Sequence, residues 1–300
     1  MNENNKRIAK NTLVLYVRML FSMLVSLYTS RVILQTLGVE DYGIYNVVGG
    51  IVGMFSLISG SLSSAISRFI TFELGKGDVA KLKRVFSTSI TIQVVISIIV
   101  IVFAEIVGVW FLNNKIVIPY NRIIAANWIF QFSLITFVVN LISVPYNAVI
   151  IAHEKMTAFA YIGIFEVVAK LGIVFSLLIS PIDKLIFYGV LLMALAIVVR
   201  IVYGGYCKRN FAECSYSFTF DKLLLKEMFG FVGWNFIGSS SGILRDYGGD
   251  ILINLFLGPS VNAARGIATQ VCRVVGGFAN NFMVSVEKIK PHGAGCYGII

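Results

Sequence analysis

Arginine is the residue this chain places where chemistry at depth would be expected, because Arg18, Arg31, Arg245, Arg265 and Arg273 all fall within long apolar runs. A guanidinium is planar, permanently charged and rich in donors, so several together suit an anionic ligand. If those runs lie in lipid, each buried ion costs at least about 2.5–3.5 kcal/mol and needs a partner or a watery hollow. The five arginines are therefore the candidate substrate-binding residues. Arg18 and Arg31 are thirteen residues apart, about 20 Å of helical rise, and cannot grip one small group together. Arg265 and Arg273 differ by about 80° around a helix and can look into one cavity. For Arg31, snorkelling to headgroups or pairing with Asp250 is an equal alternative.

Four further charges read as coupling groups or as ion pairs between halves of the molecule. Asp246 and Asp250 sit one turn apart on one helix face. Glu166 and Lys170, four apart, form a self-neutralising helix pair. No catalytic, metal or cofactor set accompanies them. The four cysteines, Cys207, Cys214, Cys272 and Cys296, have no CxxC spacing, and His153 and His292 are the only histidines. The longest polar loop, Lys208–Lys226, carries Glu213 and Asp221 alone as acids, too few to hold a nucleotide sugar and metal. The chain does not read as an enzyme.

The elements that position these residues follow from composition. Hydrophobic residues make up 57% and charged residues 13%, against about 45–50% and about 25% in soluble domains. The mean hydropathy is +0.84. A bilayer lets such side chains point outward, whereas a soluble fold would have to bury them all. Strands of a membrane barrel alternate in polarity every second residue, and these runs do not. The expected fold is all-α, a polytopic transmembrane helical bundle. Eight spans are expected, near residues 12–37, 43–71, 86–112, 123–151, 157–179, 185–207, 229–256 and 260–286.

Lys and Arg divide fifteen to three between the two sets of connections. Short loops rich in these residues stay inside, so the N-terminus is expected in the cytoplasm and the chain in the inner (plasma) membrane, in multiple passes. The polar residues 1–11 read as a cytoplasmic tail rather than a cleaved leader. A net charge of +10 spread between apolar spans excludes a nucleic-acid face. The bilayer itself is the first partner.

Small residues mark packing and bending. Gly49 and Gly53 have GxxxG spacing, and Gly60, Ser61, Ser63 and Ser64 extend that face, which predicts close helix contact. The run Gly238–Gly242 is a candidate hinge. Pro145 should kink its span and free a carbonyl for Asn140, Asn147 or water. His153 and Glu154 read as a solvated helix end.

The region Arg31–Ile66 lines up loosely with Ile251–Val286, with Leu37-Gly38 and Leu257-Gly258 at equivalent turns. Parallel repeats of this kind are a known membrane architecture. The stretches Ser30–Asn46 (SRVILQTLGVEDYGIYN), Ser61–Phe72 (SLSSAISRFITF), Pro145–Met156 (PYNAVIIAHEKM) and Val261–Phe282 (VNAARGIATQVCRVVGGFANNF) resemble the polysaccharide and O-antigen (Wzx-type) flippases of the multidrug/oligosaccharidyl-lipid/polysaccharide exporter superfamily. The resemblance implies two six-helix lobes around a cavity opened alternately to each side. It implies a polyprenyl diphosphate oligosaccharide as cargo for surface polysaccharide such as lipopolysaccharide. Polysaccharide polymerase and glycosyltransferases are its candidate partners.

Under that resemblance residues 1–207 form a six-helix lobe, 208–228 a cytoplasmic linker, and 229–300 two helices and a tail of a second, incomplete lobe. The family continues with further spans, so the chain is expected to be truncated at its C-terminus. Spans one and two hold Arg18, Arg31 and Arg68 and no acid before Glu73 within a span, which favours anionic cargo. The rivals are a cation-coupled multidrug exporter using Asp246 and Asp250, and a fragment that transports nothing.

Overall fold

Long apolar runs punctuated by capped turns can satisfy their backbone only as helices in lipid. A computed structural model of the chain describes residues 3–180, 183–216, 227, 230, 244 and 247–287, and every regular element among them is helical. Helix α1 (Glu3–Gly53) is two limbs joined at Gly38, whose φ of 84° and ψ of 168° suit glycine alone. Met54 and Phe55 separate it from α2 (Ser56–Lys76). Gly77, at φ 75°, closes α2 by donating its amide to the Leu74 carbonyl. Asp78 then caps α3 (Val79–Phe103) by accepting from the Lys81 amide at 2.9 Å.

A π-turn, Ala104–Gly108, carries α3 into α4 (Val109–Asn114). Pro119 and a single turn at Tyr120–Arg122 precede α5 (Ile123–Ala152). There follow α6 (Met156–Ile179) and α7 (Lys184–Asn210), the latter capped by Asp183 accepting from the Leu185 and Ile186 amides at 3.0 and 3.3 Å. Helix α8 (Tyr247–Leu257) turns at Gly258, φ 80°, into α9 (Pro259–Glu287). Both Leu-Gly turns of the repeat thus use a glycine in the left-handed region.

The bundle is polytopic and all-α. Among the described residues, five segments are long and apolar enough to cross a bilayer: Leu15–Gly53, Val79–Asn114, Tyr120–Ala152, Met156–Ile179 and Lys184–Asn210. Along α3, Ile98, Ile99, Val102 and Phe103 are each more than half exposed. Water would not tolerate that stripe; acyl chains do. Inside, α5 packs against α1, α2, α3 and α7, and α1 against α6 and α9. Phe86, Phe130, Leu62, Ile66 and Ile129 fill this core, with the Phe86 ring edge-on to Tyr146 at 5.1 Å.

Several expected boundaries move. The segment 43–71 is divided at Met54–Phe55, and its second part runs on to Lys76. The loop expected at 73–84 is only the Gly77–Asp78 turn, because helices continue beyond the hydrocarbon wherever caps allow. α5 passes through Pro145 as one helix, and Asn147 Oδ1 is buried there without a hydrogen-bond donor. Most of the 229–256 segment, including the Gly238–Gly242 run, lies outside the described residues.

Candidate functional site

The inner faces of α1, α5, α6, α7 and α9 wall a cavity of about 730 Å³. On α1, Ser22, Ser26 and Ser30 recur every four residues and, with Thr29, form one polar stripe along it. α9 closes the same side through Gly266 and Gln270. The Gln270 amide donates to the Ser26 carbonyl at 2.9 Å and to its hydroxyl at 2.6 Å, while the Ser30 hydroxyl donates to Gln270 Oε1. Gly266 lets α9 come close, since a Cβ there would meet the Asn46 side chain.

Across the cavity stand Thr136 and Asn140 of α5, Tyr188 of α7, and Tyr42 and Tyr45 of the second limb of α1. Its charged lining residues, among those described, are Glu166 and Lys170 of α6, joined at 2.6 Å. Their side chains are 35% and 48% exposed, so the pair is wetted by the cavity. The result is a roomy, mostly neutral hollow in which hydroxyl and amide groups stand among apolar side chains such as Met19, Met23, Ile33, Leu192 and Val199, with one balanced ion pair. Such a wall can hydrogen-bond many hydroxyls of a ligand without a net charge of its own.

Of the arginines named from the sequence, Arg18, Arg31 and Arg265 do not stand at this lining. Arg18 lies on α6, its guanidinium 4.3 Å above the Phe159 ring and against Gly163. Arg31 is exposed beside a smaller hollow of about 220 Å³ bordered by Leu27, Ser30, Leu34, Ile267 and Gln270. Arg265 donates to Asp250 at 2.7 Å, joining α9 to α8. Asp250 therefore takes Arg265, its neighbour across the turn, as a partner. Arg273 stands on α9 three residues beyond Gln270, and its side chain is outside the described residues, as are Arg245 and Asp246 altogether.

Two polar clusters tie the ends of the bundle. At one end Arg122 holds Asp41 with two N–H groups and Asp183 with a third, joining the turns that precede α5 and α7 to the bend in α1. At the other, His153 pairs with the buried Glu213 and stacks on Phe211 at 4.3 Å. The solvated end expected at His153 is instead packed against the residues that follow α7. Cys214 lies in the same turn, and its thiol is pushed up first by a hydrogen bond with Cys207 and then by burial.

The neutral cavity wall and the Asp41–Arg122–Asp183 cluster were not singled out from the sequence. The four-residue spacing of serines along α1 was a legible signal for the first. The second had none, because three separate turns supply it.

A family profile described as "Polysaccharide biosynthesis protein" matches residues 8–286. The solved chain "protein A" superposes with a TM-score of 0.80 at 15% identity, over 95% of this chain and 64% of its own length. At that identity the likeness concerns the fold, and this chain spans under two thirds of that one. No curated protein matches.

Proposed function

The chain belongs to the polysaccharide biosynthesis protein family, and from that premise we propose that it moves a lipid-linked oligosaccharide across the membrane by alternating access. It acts as a transporter rather than an enzyme. The supporting observation is the 730 Å³ cavity, whose wall mixes hydroxyl and amide groups with apolar side chains, set inside a bundle whose outside is apolar. Sugars offer many neutral donors and acceptors, which such a wall matches, while an isoprenoid chain stays among the exposed apolar side chains in lipid. Polyprenyl diphosphate is the carrier we assign, with Lys170 in the hollow as the cation nearest to it and Arg18, Arg31, Arg245, Arg265 and Arg273 as the candidate binding residues. Asp246, Asp250 and Glu166 serve as coupling or lobe-joining partners.

Residues 1–207 act as the first lobe, 208–228 as the linker and 229–300 as part of a second lobe. The N-terminus lies in the cytoplasm, since Lys and Arg collect at that end. The membrane is the inner one, and O-antigen or a related surface glycan is the product class served.

The test is translocation in vesicles made with the natural full-length chain and a polyprenyl diphosphate oligosaccharide, read by protection of the glycan from an impermeant oxidant. Glycan should cross faster than in protein-free vesicles, and Lys170→Ala should slow the initial rate about tenfold if one charge-assisted contact is lost. A rate equal to protein-free vesicles, with organic cations moving against a pH gradient instead, overturns the proposal in favour of a drug exporter.

A further inference from the structure

A carboxylate sits on the outward face of the bundle, away from the cavity. Glu105 lies inside the π-turn that joins α3 to α4, is exposed, and accepts from the Gln131 amide at 3.3 Å. Toward the chain end of α4, Asn113 and Asn127 exchange reciprocal amide hydrogen bonds at 3.0 and 2.8 Å. These four residues make a polar seam along α3, α4 and α5, bordered by the exposed Ile106, Trp110, Ile124, Trp128 and Ile135.

The seam does not belong to the cavity. Gln131 and the cavity-lining Asn140 are nine residues apart on α5, which places them about 180° apart around the helix. Nor does its Glu105 end sit in the headgroups. Trp110 and Trp128, with Lys115 5.9 Å from the Trp110 ring, mark the aromatic belt at this end. Glu105 lies eight residues in from Asn113, about 12 Å deeper by helical rise.

An ionisable group at such depth is expensive unless something donates to it, and acyl chains carry no donor. The Gln131 contact, at 3.3 Å, is longer than a good N–H···O bond and compensates little. π-Turns concentrate at functional sites, and this one turns the carboxylate toward lipid. A second copy of the chain would meet this face by a two-fold axis along the membrane normal and set one Glu105 against the other. Charge complementarity excludes that pairing and demands a cation.

We propose that the Glu105–Gln131–Asn113–Asn127 seam is a docking face for a partner transmembrane helix that carries one basic side chain at the depth of Glu105. The partner's cation meets the carboxylate, and Trp110 and Trp128 flank it. This holds whatever cargo the cavity carries.

The probe is a synthetic oligoleucine transmembrane helix with a single lysine at the Glu105 depth, compared with an all-leucine helix and one whose lysine is moved two turns. Association with the full chain in neutral phosphatidylcholine vesicles is read by energy transfer between labels. The matched lysine helix should bind about tenfold more tightly than either control, the size expected of one strong interhelical polar contact. Glu105→Gln should remove the gain, and Glu105→Asp should keep part of it. Equal binding of the three helices overturns the proposal, as does a gain that survives Glu105→Gln. Glu105-dependent self-association of the chain, seen by cross-linking in the absence of any probe, also overturns it by making a second copy the occupant.

Discussion

At the scale of single residues, packing has chosen among glycines that look alike in the sequence. Gly49 has open space where a Cβ would go, whereas a Cβ on Gly53 would strike the Tyr247 ring and one on Gly43 the Pro259 carbonyl. Gly49→Ala should leave the melting temperature in detergent unchanged. Gly43→Ala, which meets rigid backbone, should destabilise by about 1–3 kcal/mol, visible as loss of the folded peak in fluorescence-detected size exclusion on heating. Charges were sorted in the same way. Arg122 is the shared counter-ion of Asp41 and Asp183, and Asp41 is 4% exposed. Arg122→Leu strands a buried carboxylate and should lower stability by about 3 kcal/mol; the Arg122→Leu, Asp41→Leu double variant should recover much of it. The raised Cys214 thiol gives a separate check. Maleimide labelling of Cys214 should be absent at pH 8 and at pH 9 in native membranes and appear on denaturation, because burial and the Cys207 hydrogen bond keep the thiol protonated as pH rises.

At the scale of elements, the π-turn at Ala104–Gly108 sets the rotation of everything after it. It adds a residue to one turn of helix, so α4 presents Asn113 to Asn127 instead of turning it aside. Cysteines at 113 and 127 should therefore form a disulfide under mild oxidation. Deleting Val107 removes the added residue and returns the turn to α-helical winding with the rotation of α4 kept, so that disulfide should survive; inserting one alanine after Val109 rotates the rest of α4 by about 100° and should abolish it while the helical content by circular dichroism is kept. The turns were easier to read than the rotation. Gly77, Asp78 and Asp183 have the residue types that close or start helices, and they do so here. Pro145 does not end its span, and α5 runs through it as one helix.

At the scale of the whole molecule, the contact between α1 and α9 closes the cavity, and it is built from neutral groups. Gln270 and Ser26 hold it by amide and hydroxyl hydrogen bonds, which break with less penalty than an ion pair in a low-dielectric setting. In the proposed alternating-access cycle this contact is the one that would have to part. Joining Ser26→Cys to Gln270→Cys by oxidation, in a chain whose native cysteines are replaced, should stop translocation in the vesicle assay, and a reductant should restore it. Unchanged movement through the cross-linked protein would mean that α1 and α9 do not part during the cycle.

What the sequence determined by itself was the medium and the kind of element. Hydropathy adds up along the chain, and helix length against bilayer thickness is a one-dimensional comparison, so an all-helical membrane bundle and its two Leu-Gly turns were legible residue by residue. The rotation of each helix about its own axis was not. It follows from how bulky and small side chains interlock between neighbours, and it decided that Arg265 faces Asp250, that Arg18 lies on Phe159, and that serines, a glutamine and the Glu166–Lys170 pair line the described hollow among apolar side chains.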